Sequence, residues 1–125
     1  MSQHSDLTLD KWLSFSHIQQ ILMIGNEMNR AKKLFSPLDI NGLRLCYERV
    51  LYLTDFTIQS NSSKSFRKEL LYWRDLVAEE YISLITARDS TKIQDINNHL
   101  KILKTLLLLS FESAGQIPYL IHTEK

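Results

Sequence analysis

The chain has 125 residues, of which 44% are hydrophobic and 23% are charged, and its formal net charge at pH 7 is +1. This length suits one domain with its own core, and the near-neutral charge argues against a dedicated nucleic-acid binder, whose surface is strongly basic. The only cysteine, Cys46, excludes a disulfide bond within the chain. The N-terminal residues lack the pattern of a signal peptide, and the apolar run 106–109 is too short to span a membrane. We therefore expect a cytoplasmic protein with a single domain, residues 1–125, and no membrane partner.

Apolar residues recur at helical spacing along the chain, and no alternation typical of a β-strand persists. The pattern predicts an all-α protein whose four helices span about 8–35, 37–59, 64–87 and 91–114, followed by a short apolar tail, 115–125. Ser36 and Asp39 form a helix start around Pro37, and Thr91 with Gln94 forms a capping box. Because the turns are very short, neighbouring helices should lie antiparallel, as an up-down-up-down four-helix bundle.

Charged residues fall at matching heights on successive predicted helices. When short turns join antiparallel helices, this matching places Glu27 near Arg44, Arg44 opposite Glu79, and Glu79 level with His99. It also places Asp55 opposite Lys68. The complete candidate polar cluster is Glu27, Arg30, Arg44, Glu48, Arg49, Arg74, Asp75, Glu79 and His99. Ion pairs that set the register of the bundle are the favoured interpretation, and a small-ligand or active site is the alternative.

The motifs of common catalytic and metal sites are missing. No Glu-x-x-His pair, His-Glu-x-x-His motif, phosphate-binding glycine loop or dinucleotide fingerprint occurs. Arg44 is predicted in the same layer as the possible ligands Glu27, Glu79 and His99, where it would repel a cation. Cys46 has the context of a small buried hydrophobe. We therefore expect no metal, no cofactor and no catalytic residue.

Three basic residues, Lys64, Arg67 and Lys68, occupy the first turns of the third predicted helix. The positive end of the helix dipole disfavours cations there, which makes these residues a candidate anion-binding site. A solvated rim is the favoured interpretation. RNA or a nucleotide is the alternative.

The fourth predicted helix is apolar almost all round between Ile102 and Phe111, whereas a bundle helix turns only part of its surface to the core. The excess needs a cover from the tail or from a second chain. The candidate interface residues are Leu106, Leu108, Leu109, Tyr119, Leu120 and Ile121.

The leading functional hypothesis is a non-enzymatic helical bundle that acts through protein–protein association, as a homodimer or as a subunit of a larger assembly. An RNA- or nucleotide-binding accessory domain is the second hypothesis. A ligand site or enzyme at the Glu27, Arg44, Glu79 and His99 layer is the third.

Overall fold

The computed structural model describes residues 8–60, 63–86 and 96–109, and most of these residues lie in helices. The α-helices are α1 (Leu9–Leu13), α2 (His17–Ala31), α3 (Ile40–Ser60), α4 (Lys64–Thr86) and α5 (Ile96–Leu107), and a 3-10 helix, Lys32–Leu34, follows α2. The described residues contain no β-strand, and only an isolated bridge joins Phe35 to Leu38. The all-α prediction is therefore confirmed.

The prediction of one continuous helix over 8–35 is wrong, because the chain breaks between α1 and α2. The Ser14 hydroxyl donates to the Lys11 carbonyl at 2.6 Å. Ser16 then starts a new helix, since Gln19 N–H donates to Ser16 Oγ at 3.1 Å and Ser16 N–H donates to Gln19 Oε1 at 2.8 Å. Serine side chains compete with the backbone hydrogen bonds of a helix. The apolar spacing continues across the break, so the spacing alone does not reveal that the helix ends there.

The predicted start of the second helix is also wrong. Asp39, and not Ser36, caps the N-terminus of α3, because its Oδ1 accepts the N–H of Gly42 at 2.9 Å. The Asp39 N–H itself donates to the carbonyl of Leu34 at 2.7 Å. The helix therefore begins at Ile40, three residues after the predicted start at Pro37.

The third and fourth predicted helices correspond to α4 and α5. Prediction and structure agree closely for α4, whereas α5 ends at Leu107, short of the predicted Ala114. The last turn tightens there, because Leu109 N–H donates to the carbonyl three residues earlier, that of Leu106. The predicted cap at Thr91, residues 110–114 and the apolar tail 115–125 lie outside the described residues.

The core lies where α3 packs against α2 and α4 and where α5 packs against the same two helices. Trp12 and Trp73 are fully buried, as their stripe positions predict. The indole N–H of Trp12 donates to Thr57 Oγ1 at 2.9 Å, and that of Trp73 donates to the carbonyl of Ile102 at 2.7 Å. Each large ring therefore enters the core with its polar group satisfied.

Side-chain contacts show that α3 and α4 run in opposite directions. Between α3 and α4, Asp55 contacts Arg74 while Glu48 contacts Tyr81, so the residue number rises on one helix as it falls on the other. At Gly25 the helices α2 and α5 approach closely, because a Cβ built there would lie 3.3 Å from Leu107 Cδ2. Within the described residues, no helix is both long and apolar enough to cross a bilayer.

Candidate functional site

Glu27 is a buried carboxylate that two partly exposed arginines contact, one on α2 and one on α3. Its side chain is only 4% exposed, yet both oxygens are bonded: Arg30 Nη1 lies 3.2 Å from Oε2 and Arg49 Nε lies 3.2 Å from Oε1. Arg49 Nη2 also donates to Cys46 Sγ at 3.2 Å. We call Glu27, Arg30, Arg49 and Cys46 the Glu27 cluster. Arg49 therefore joins the Glu27 carboxylate to α3, whereas Arg30 lies on the same helix as Glu27.

Cys46 is part of this cluster as a buried neutral thiol. Burial raises the pKa of Cys46, and the charge of Arg49 opposes that rise without cancelling it. A nucleophilic cysteine needs a stabilised thiolate at neutral pH. The arrangement therefore favours the predicted packing role.

Arg44 does not join Glu27 or Glu79, although residue heights predict both pairs. Its Nε lies 3.9 Å from Oε2 of Glu48 on the same helix, and within the described residues it forms no other ion pair. Arg49 takes the place beside Glu27. Two residues five positions apart on a helix are rotated by about 140°, so Arg49 faces α2 while Arg44 lies on another side of α3.

Charged contacts between α3 and α4 differ from the predicted pairs as well. Arg74 binds Asp55 through both ends of its guanidinium, at 2.6 Å and 3.3 Å, whereas Lys68 was predicted to face that carboxylate. This hydrogen bond raises the pKa of Arg74. The Tyr81 hydroxyl donates to Glu48 at 2.6 Å, which raises the pKa of Tyr81. These partly exposed pairs join neighbouring helices at the edge of the core.

His99 is fully buried, as a seam residue, but its partners are not the predicted ones. Its Nε2 lies 2.7 Å from the carbonyl of Met28, and its Nδ1 lies 2.6 Å from the hydroxyl of Tyr47. Because a carbonyl only accepts, Nε2 carries the proton and Nδ1 accepts from Tyr47. Burial lowers the pKa of His99 to about 4 and raises the pKa of Tyr47. The neutral ring therefore links α2, α3 and α5.

Four charged residues on α4 lie apart from the Glu27 cluster and from His99. Lys64, Lys68, Asp75 and Glu79 are exposed, and none of them forms an ion pair with another described residue. Arg67, the third predicted anion-binding residue, is half-buried beside them. The predicted polar layer is thus divided into an interior part and an outward-facing part.

Of the candidate interface residues, Leu106 is fully buried and belongs to the core, so its predicted interface role is wrong. Leu108 is 58% exposed and Leu109 is half-buried. Tyr119, Leu120 and Ile121 lie outside the described residues. The apolar excess of α5 is mostly inside, because α2 and α4 both pack on this helix.

Exposed apolar residues concentrate instead on α3 and α4, which the sequence analysis missed. The large ones on these two helices are Leu45, Tyr52, Leu71, Tyr72, Ile82 and Ile85. Their position off the main apolar stripe of each helix was the available signal. A core that already fills one face leaves such residues facing water.

The described residues contain no group of three or more His, Cys, Asp and Glu side chains that could hold a metal ion. No family model matches this chain, and neither does any curated protein or solved structure. Any proposal about function therefore depends on the residues and contacts described above.

Proposed function

We propose that this protein acts through protein–protein association, as a self-associating four-helix bundle and not as an enzyme. The supporting observation is the distribution of exposed apolar side chains. Of the eight large hydrophobic residues exposed within the described ranges, six lie on α3 and α4. Exposed apolar residues on two neighbouring helices can together form an interaction surface.

The packing of the helices supports the bundle part of the proposal. α2 and α4 each contact both α3 and α5, which is the neighbour relation of a four-helix bundle. The contacts of Gly25 with Leu103 and Leu107 and of Met28 with His99 match an antiparallel α2–α5 pair. The direction already described for α3 and α4 agrees with an up-down-up-down order.

The hydrogen bonds of Glu27 and His99 make a ligand site at these two residues less favourable. Both oxygens of Glu27 are bonded to arginines, and both nitrogens of His99 have partners. A catalytic or binding group must reach a substrate by hydrogen-bond distance. Side chains already bonded on both polar atoms inside a core serve the register of the helices.

Nucleic-acid binding is the second candidate, and it depends on Lys64, Arg67 and Lys68. Their place at the start of α4, without an ion-pair partner among the described residues, favours an anionic ligand. Binding of a single-stranded RNA oligonucleotide should then weaken steeply with added salt. No binding at low salt would reject this candidate.

Light scattering after size-exclusion chromatography and sedimentation velocity test the association. We expect the wild-type chain to form a larger species as its concentration rises from about 1 µM to about 500 µM. The variant Leu71→Gln/Tyr72→Gln should raise the dissociation constant at least about tenfold, because it removes exposed apolar area from α4. The control Leu13→Gln changes an exposed leucine on α1 and should leave the constant unchanged. A wild-type monomer at every concentration would refute self-association.

A further inference from the structure

We propose that two copies of this chain associate through the outer face of α4, with the two α4 helices antiparallel about a twofold axis between Leu71 and Tyr72. This inference rests on the proposed function and specifies its partner, surface and register. The surface consists of six residues, which we call the α4 stripe: Lys64, Lys68, Leu71, Tyr72, Asp75 and Glu79.

The α4 stripe is one continuous outward face of the helix. Its members follow each other at intervals of three or four residues, apart from the adjacent pair Leu71 and Tyr72, so they lie on one side. All six are exposed, and Leu71 and Tyr72 are 49% and 66% exposed. The opposite side of α4 enters the core through Leu70, Trp73 and Val77. The stripe is therefore available to a partner.

Charge and apolar character change in a self-complementary order along the stripe. The N-terminal pair, Lys64 and Lys68, is basic, the centre is apolar, and the C-terminal pair, Asp75 and Glu79, is acidic. In an antiparallel pair centred between residues 71 and 72, Lys64 meets Glu79 of the second copy and Lys68 meets Asp75 of the second copy. Leu71 meets the second copy's Tyr72. The twofold axis repeats every one of these contacts, as an isologous interface requires.

Like charges lie next to each other at both ends of the stripe in a single chain. Lys64 and Lys68 are like charges four residues apart at the positive end of the helix dipole, and Asp75 and Glu79 are like charges at the same spacing. Among the described residues none of the four has an ion pair, and Arg74, next to Asp75, is bonded to Asp55. Antiparallel pairing supplies an opposite charge to every one of them. The partner's carboxylates are thus the anions that Lys64 and Lys68 favour.

The same order of charges excludes a parallel arrangement of the two helices. Parallel pairing would set lysine against lysine and carboxylate against carboxylate, which is repulsive. The stripe covers residues 64–79, about 24 Å of helix. The surface area that it can bury is therefore smaller than that of a standard protein interface. We therefore expect a dimer with a dissociation constant in the micromolar range that weakens as salt screens the ion pairs.

Two charge-reversal variants test the register. Lys64→Glu/Lys68→Glu makes the charged positions of the stripe all acidic, and Asp75→Lys/Glu79→Lys makes them all basic. Each variant alone should be monomeric where the wild type dimerises, and an equimolar mixture should form a dimer containing one copy of each. The control Lys101→Glu/Lys104→Glu reverses two exposed charges on α5 and should dimerise as the wild type does. Circular dichroism and thermal unfolding verify that every variant folds.

The outcomes separate this inference from the proposed function. A wild type that associates while both variants dimerise equally well would overturn the α4 surface and leave association through another surface standing. Two monomeric variants whose mixture also stays monomeric would overturn the antiparallel register. A wild type that is monomeric at every concentration would overturn both. A monomeric wild type that binds an RNA oligonucleotide, and loses it with Lys64→Glu/Lys68→Glu, would assign the two lysines to nucleic acid instead.

Discussion

The buried imidazole of His99 should make the stability of this protein depend on pH. In the folded chain its Nδ1 accepts from Tyr47 and its Nε2–H donates to the carbonyl of Met28, so a second proton would put a positive charge in the core and reverse the hydrogen bond with Tyr47. Burial, and to a smaller extent the charge of Lys32, lowers the pKa of His99 to about 4 from the ordinary value of 6.5. The perturbation is a decrease in pH from 8 to 5.

The sign follows from the two pKa values. Between pH 6.5 and pH 4 the unfolded chain binds a proton at His99 and the folded chain does not, so the free energy of unfolding falls as the pH falls. This contribution to stability is complete above pH 6.5. At pH 5 the difference in pKa corresponds to a loss of about 2 kcal/mol, and below pH 4 the loss approaches about 3 kcal/mol.

Urea denaturation between pH 8 and pH 5 measures this loss. Other groups titrate in the same range, so the wild type is compared with His99→Gln, whose amide does not titrate and offers both a donor and an acceptor. The wild type should lose about 2 kcal/mol more than the variant between these two values. The ring signals of His99 in an NMR titration give its pKa directly, even if His99→Gln folds poorly. Parallel stability curves, or a His99 ring that titrates near pH 6.5, would refute the reasoning.

Three further predictions concern other interior polar contacts. Glu27→Gln should lower the free energy of unfolding by about 1–3 kcal/mol, because Arg49 is then partly buried without a carboxylate partner. Chemical denaturation measures this loss, and an unchanged stability would contradict the prediction. Trp12→Phe removes the indole N–H that donates to Thr57, so thermal unfolding should reveal a loss of at least about 1 kcal/mol, and a wild-type melting temperature would count against that bond. Cys46 is buried and its pKa is raised by burial, so a thiol reagent should react with it much more slowly in the native protein than in denaturant. Equal rates would mean that the Glu27 cluster is open.

A matched exposed residue controls the Glu27 experiment. Glu48 also contacts an arginine and a tyrosine, but its side chain is 46% exposed. Glu48→Gln should therefore change the free energy of unfolding by no more than about 1 kcal/mol, because water can solvate the arginine and the tyrosine that lose the carboxylate. A loss as large as that of Glu27→Gln would mean that burial does not set the cost.

Helix positions were predictable where a local signal defined them. Apolar spacing placed α4 within a residue at its start, where the Ser63 hydroxyl accepts the N–H of Phe66 at 3.3 Å. The same spacing missed the break before α2, because Ser16 and Gln19 start a new helix without changing the apolar spacing. Periodicity reports which side of a helix is buried, and it does not report whether the helix is continuous.

The candidate site was predictable in part for a geometric reason. Residue numbers correctly placed Glu27 among the polar contacts of α2 and α3, yet they selected Arg44 where the structure has Arg49. The count gave the wrong height between α3 and α4, because Asp55 contacts Arg74, six residues or about 9 Å along α4 from the predicted partner Lys68. A contact also requires that both side chains point towards each other. The rotation of each helix decides that, and it depends on how the whole core packs.

By itself, the amino-acid sequence determined the all-α class and the extent of α4, because helix formation and apolar period are local properties. Only the tertiary structure decided that His99 bonds Tyr47 and Met28, that Leu106 is interior, and that the exposed apolar residues gather on α3 and α4. These features depend on which helices are neighbours and on how each is rotated about its axis. That rotation follows from the joint packing of residues far apart in the chain.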